Sequence, residues 1–160
     1  MRLLGCLIIV RAMRRHVKWI KELFGITQNT TQRTLVQDIV AELNAEQARI
    51  KDAGSLNGEH YTDYVEQVKQ LKREKRYSEA IKLLLKLVNA TEAESKAAGQ
   101  QWGVAPWYYE QLAIIFRKEG RLSEEIAILE RYEAQPKAPG VGPTKLSERL
   151  LKAKVHATEP

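Results

Sequence analysis

At 160 residues, with 44% hydrophobic and 29% charged side chains, the chain has the size and balance of one globular domain and is too apolar for disorder throughout. Its net charge of +6 is concentrated at one end: residues 1–30 hold Arg2, Arg11, Arg14, Arg15, Lys18 and Lys21 against Glu22 alone, and the remainder carries only +1. A single cysteine excludes an internal disulfide, and the three scattered histidines show no metal-ligand spacing, so no cofactor or metal is expected and Cys6 points to a reducing, cytoplasmic setting.

Residues 1–25 read as a basic amphipathic helix. The apolar run Leu3–Val10 is far shorter than the ~20 residues that span a bilayer. It leads into Arg11-Ala12-Met13-Arg14-Arg15 rather than into a cleavage site. Leu3, Cys6, Val10, Met13, Val17, Ile20 and Phe24 alternate by three and four, which places them on one helix face, with most of the basic residues on another. A start at Met13 would remove most of this run. Such a helix packs on the rest of the fold or lies on a membrane surface or partner. Its charge supplies the electrostatic part of nucleic-acid binding, but no reading motif accompanies it, so nucleic acid is not the expected partner.

Residues 26–58 comprise a polar linker and a flanking helix. Ile26–Arg33 is the linker, and the helix runs from about Thr34 to Ala53 with an apolar face of Leu35, Val36, Ile39, Val40, Leu43 and Ile50. There are too few heptads for a coiled coil, so this face is expected to pack against the following hairpins. Gly54, Ser55, Asn57 and Gly58 mark a break.

Residues 59–135 repeat a pattern. Tyr64, Val68, Leu71, Tyr77, Ser78, Glu79, Ile81 and Leu84 align, 45 residues on, with Tyr109, Ala113, Phe116, Leu122, Ser123, Glu124, Ile126 and Leu129. Each unit is an amphipathic helix, a short polar turn and a second amphipathic helix, with Ser78 and Ser123 where N-caps are expected. Residues 136–160 then hold a Pro/Gly linker, Gln135 to Pro143 being its core, and a C-terminal capping helix from Thr144 to Val155 bearing Leu146, Leu150 and Leu151. One hairpin cannot bury its apolar face alone, so the two must stack and the flanking helices must cap the stack.

The two units resemble the tetratricopeptide repeat. Tyr109, Leu112, Ala113, Phe116, Gly120 and Leu122 carry the likeness in the second unit, and Tyr64, Leu71, Tyr77, Ala80 and Leu84 in the first. Val68, Gln67, Lys75 and Glu125 depart from it, replacing a small residue, a leucine, the turn glycine and a packing alanine. The period of 45 residues also exceeds the family's ~34, with the extra length in Asn89–Ala105. The resemblance implies an all-α fold, a short superhelix of αα-hairpins with flanking capping helices. It also implies a concave groove lined by first helices, with Lys69, Lys72 and Arg73 from one unit and Trp107, Ile114, Arg117 and Lys118 from the next.

In such a groove Lys and Arg supply charge-assisted donors to an acidic peptide or a C-terminal carboxylate. No phosphate loop, His-Glu-x-x-His motif or cysteine pair is present, and Glu92 with Glu94 and Glu124 with Glu125 are carboxylate pairs by sequence only, expected on solvated helix surface. The expected function is therefore a protein–protein interaction module, neither an enzyme nor a binder of a small-molecule substrate. The alternative is a structural or membrane-surface protein acting through residues 1–24.

Overall fold

A computed structural model describes residues 32–100, 102–137 and 140–158, so the basic helix expected over residues 1–25 and most of its linker lie outside the described residues. The chain divides into two compact units, Met1–Glu46 and Gln47–Pro160. Residues 32–53 are helical (α1). Leu35, Val36, Ile39, Val40 and Leu43 are all exposed, and of the expected apolar face only Ile50, in the second unit, is buried. The expectation that this whole face is covered is therefore corrected: it holds for Ile50 alone.

The second unit is all-α apart from a two-stranded hairpin. Strands β1 (Ser55–Leu56) and β2 (Glu59–His60) pair antiparallel, Ser55 with His60 and Leu56 with Glu59. Asn57 and Gly58, both at positive φ, close the turn, as a two-residue hairpin loop requires. A 3-10 turn at Tyr61–Tyr64 follows, capped by the His60 side chain and Asp63. His60 also fastens this corner to the next hairpin: its Nε2 lies 2.8 Å from Glu94 Oε1, and Tyr61 Oη donates to Glu94 Oε2 at 2.6 Å.

Five helices follow: α2 (Val65–Arg73), α3 (Tyr77–Ala97), α4 (Pro106–Lys118), α5 (Leu122–Glu133) and α6 (Val141–Thr158). Each packs on its neighbour in sequence, and α4 also meets α6. The apolar spacing explains this. Tyr61, Tyr64, Val68 and Leu71 form one stripe; Ala80, Leu84, Leu87, Val88 and Thr91 form the next; Tyr109, Leu112, Ala113 and Phe116 another; all are buried. Burying each large side chain contributes about 1.5–3 kcal/mol. Leu146, Leu150 and Ala153 seat α6, whereas Leu151, expected in that contact, is exposed.

The turns within the two hairpins are the same structure. Lys75 and Gly120 sit at φ 57° and 73°. Arg76 N–H bonds Leu71 O and Arg121 N–H bonds Phe116 O, each at 2.9 Å; Lys75 N–H bonds Lys72 O and Gly120 N–H bonds Arg117 O, each at 3.2 Å. These are paired Schellman closures, which satisfy the carbonyls left over at a helix end. The following helices begin at once. Arg76 and Arg121, rather than Ser78 and Ser123, therefore hold the N-cap positions, and neither serine makes a capping bond. Likewise Thr144 does not cap α6, which starts three residues earlier at Val141.

Each N-cap arginine clasps two carboxylates across its turn. Arg76 reaches Glu79 at 2.6 Å and Glu74 at 2.9 Å, and Arg121 reaches Glu124 at 2.5 Å and Glu119 at 3.0 Å. Hydrogen bonds from Arg76 hold Glu74 and Glu79, and from Arg121 hold Glu124, below the ordinary carboxylate pKa of 4.5. Their folded-state pKa values lie below the unfolded ones, so this contribution to stability is present above pH 4.5 and is lost as pH falls through the lowered values. The thermal midpoint of the parent should thus fall more steeply below pH 4.5 than that of an Arg76→Gln, Arg121→Gln variant, as melts across the acid range would show. Lys75 bears a side chain where the left-handed backbone favours glycine. Lys75→Gly should stabilise the chain by about 0.5–1 kcal/mol in urea unfolding, and Gly120→Lys should destabilise it comparably.

Candidate functional site

The seven basic, aromatic and apolar residues expected in a groove meet different fates. On α2, Lys69 is engaged by Glu66 at 2.6 Å, and Arg73 donates to Gln70 Oε1 at 2.6 Å; both are exposed and held within their own helix. Lys72 is different. It is half-buried and reaches across to α4, where its Nζ donates to Gln111 Oε1. Burial first, and then the charge of Lys118, lower the Lys72 pKa, with Glu110 opposing them.

Helix α4 supplies the other wall. Its start is set by Pro106, which suits the first turn because it lacks a donor there. Trp107 is half-buried, edge-on to Tyr108 with centroids 5.0 Å apart. Ile114 is also half-buried. Lys118 is exposed, its Nζ 5.9 Å from the centre of the Tyr77 ring. Neither Lys72 nor Lys118 forms an ion pair among the described residues. The structure therefore joins Lys72 and Lys118 around Gln111 and Glu110.

Arg117 faces a different task. Glu125, on α5, is wholly buried, with its side chain at 0% exposure. Arg149 of α6 donates from Nε to Glu125 Oε1 at 2.9 Å, and its Nη2 donates to Ala113 O at 3.1 Å. Arg117 Nε lies 2.9 Å from Glu125 Oε2, an ion-pair distance at an angle too poor for a hydrogen bond, so Oε2 accepts none. Arg117 is thus a strut joining α4 to α5 rather than a free groove cation. A second tie joins α3 to α5: Arg131 Nη2 reaches Glu92 Oε2 at 2.7 Å, and Tyr109 Oη donates to Glu92 Oε1 at 2.7 Å. Burial and then Glu92 push the Tyr109 hydroxyl pKa well up, so it stays a donor.

Glu92, Glu94 and Glu125 were each expected on solvated surface and are each corrected to inter-element ties. Gln111 and Arg149 escaped the sequence reading altogether. A glutamine in an amphipathic helix carries no signal of its own, and Arg149 gains its role only from Glu125, which stands where a packing alanine was expected. Among the described residues no cluster of three His, Cys, Asp or Glu side chains could hold a metal ion. No described helix is long and apolar enough to cross a membrane. No protein-family model matches the chain, and neither a curated protein nor a solved structure does.

The triad can be tested by a double-mutant cycle. Arg149→Met should destabilise by about 2–4 kcal/mol, because it strips a buried carboxylate of its hydrogen-bonded partner. Adding Glu125→Leu should recover most of that loss, since the charge needing a partner is gone. Urea unfolding of the four proteins gives the coupling directly.

Proposed function

We propose that residues 59–135 form a tetratricopeptide-like helical-repeat module, an adaptor or scaffold rather than an enzyme, that binds an acidic peptide or the C-terminal carboxylate of a protein partner along α2 and α4. The observation that carries this reading is the pair Lys72 and Lys118. Burial and mutual repulsion depress the charged form of Lys72, and an incoming carboxylate relieves both costs at once. Gln111 steers the Lys72 ammonium, and Ile114 and Trp107 offer apolar surface farther along α4. The repeated hairpins and sequential packing support the architecture. The alternative, a structural or membrane-surface role led by residues 1–24, rests on their sequence alone.

The test is titration of fluorescent peptides ending in acidic residues, each with a free or an amidated C-terminus. Lys72→Glu with Lys118→Glu should weaken binding at least about tenfold, consistent with losing charge-assisted bonds. Lys69→Glu, at a residue already engaged by Glu66, should change it little. Binding should weaken as salt rises. Equal binding by parent and double variant would remove the groove from consideration.

A further inference from the structure

Within the unit Met1–Glu46, α1 presents an uncovered apolar face. Leu35, Val36, Ile39, Val40 and Leu43 are 57, 60, 56, 48 and 58% exposed. They fall on one stripe, at the i, i+1, i+4, i+5 and i+8 positions of a helix. A contiguous apolar patch of this kind on a folded chain marks a contact surface.

We propose that this face is the docking surface for the chain's own residues 3–24, which lie outside the described residues, and that the two segments form an antiparallel helical pair. Spacing is the first argument. Counting away from the connection in both directions, Ile20 falls opposite Val36, Val17 opposite Val40 and Met13 opposite Leu43. The alternation of three and four runs in mirrored order on the two segments, which keeps both stripes facing along their shared length.

The connection is the second argument. Only residues 25–31 separate the two stretches, within the ~2–8 residues usual between paired helices, and so short a link makes neighbours antiparallel.

Charge selects this occupant over the others. Residues 34–48 hold Asp38, Glu42 and Glu46 and no basic side chain, whereas residues 1–25 hold six basic side chains against Glu22. A second copy of α1 would set these carboxylates against their own kind, and an anionic lipid surface would be repelled by them. The basic segment is attracted instead.

Disulfide trapping in the full chain tests the pairing. In a Cys6→Ser background, which removes the one native thiol, Val17→Cys is combined with Val40→Cys in register. The control combines Val17→Cys with Ala41→Cys, one residue on and turned to the opposite face. Dilute oxidation should close the in-register pair within one chain at least about tenfold faster than the control, because a disulfide tolerates only Cβ separations of about 3.5–4.5 Å. Met13→Cys with Leu43→Cys against Met13→Cys with Asn44→Cys provides a second, independent pair should the first be poorly folded by circular dichroism. Equal closing rates overturn the proposal. Cross-links between chains, with a dimeric mass by light scattering, also overturn it and make a second copy the occupant.

Discussion

An ionised carboxylate sealed from water must be neutralised where it stands, and Glu125 imposes that constraint on the helices around it. The two charges that answer it come from different elements, Arg117 of α4 and Arg149 of α6. Satisfying Glu125 therefore fixes how three helices meet. Arg149 adds a bond to the Ala113 carbonyl, which leaves α6 one seating on α4. An alanine at position 125 would have allowed close packing with less directional demand. The buried charge specifies geometry, and apolar contacts around Ala113, Leu129, Leu146 and Leu150 supply most of the stabilisation.

The same constraint sorts the cations of the candidate site. Of the basic residues on α2 and α4, Arg117 is committed inward to Glu125, and Lys69 and Arg73 are held along their own helix. Lys72 and Lys118 remain together without a carboxylate partner among the described residues. A groove that looked broadly basic in sequence thus narrows to two ammonium groups. That is a defined electrostatic feature, since point charges on flexible stems can converge on one anion.

The hairpins were legible because their signals are local and repeated. Spacing by three and four marks Tyr64, Val68 and Leu71, and again Tyr109, Ala113 and Phe116, and these residues are buried. Turn chemistry was legible at Gly120 and hidden at Lys75, which adopts the same left-handed backbone without the residue that announces it. Ser78 and Ser123 misled for a related reason. A Schellman closure leads straight into the next helix, so the N-cap falls on an arginine that a capping preference ranks low. Glu92, Glu94 and Glu125 were not legible as ties because their partners, Arg131, His60 and Arg149, are 39, 34 and 24 residues away. Helical periodicity says which face a side chain occupies and nothing about which distant group it meets. The exposed face of α1 shows the converse: the stripe was visible, and what covers it was not.

Helix α4 touches three others, α3, α5 and α6, whereas the remaining helices chiefly touch their sequence neighbours. Resistance to opening is therefore unevenly distributed along the second unit. Loosening α2 severs a peripheral junction, and the hairpin α4–α5 can persist. Loosening α4 removes the surface on which both flanks rest, so its opening and global unfolding merge into one event. The groove wall carrying Lys118 and Trp107 is built on this slowest-opening helix, and the opposing Lys72 wall on one that yields sooner. The two walls of one site thus differ in compliance, with a rigid side against which the other can adjust.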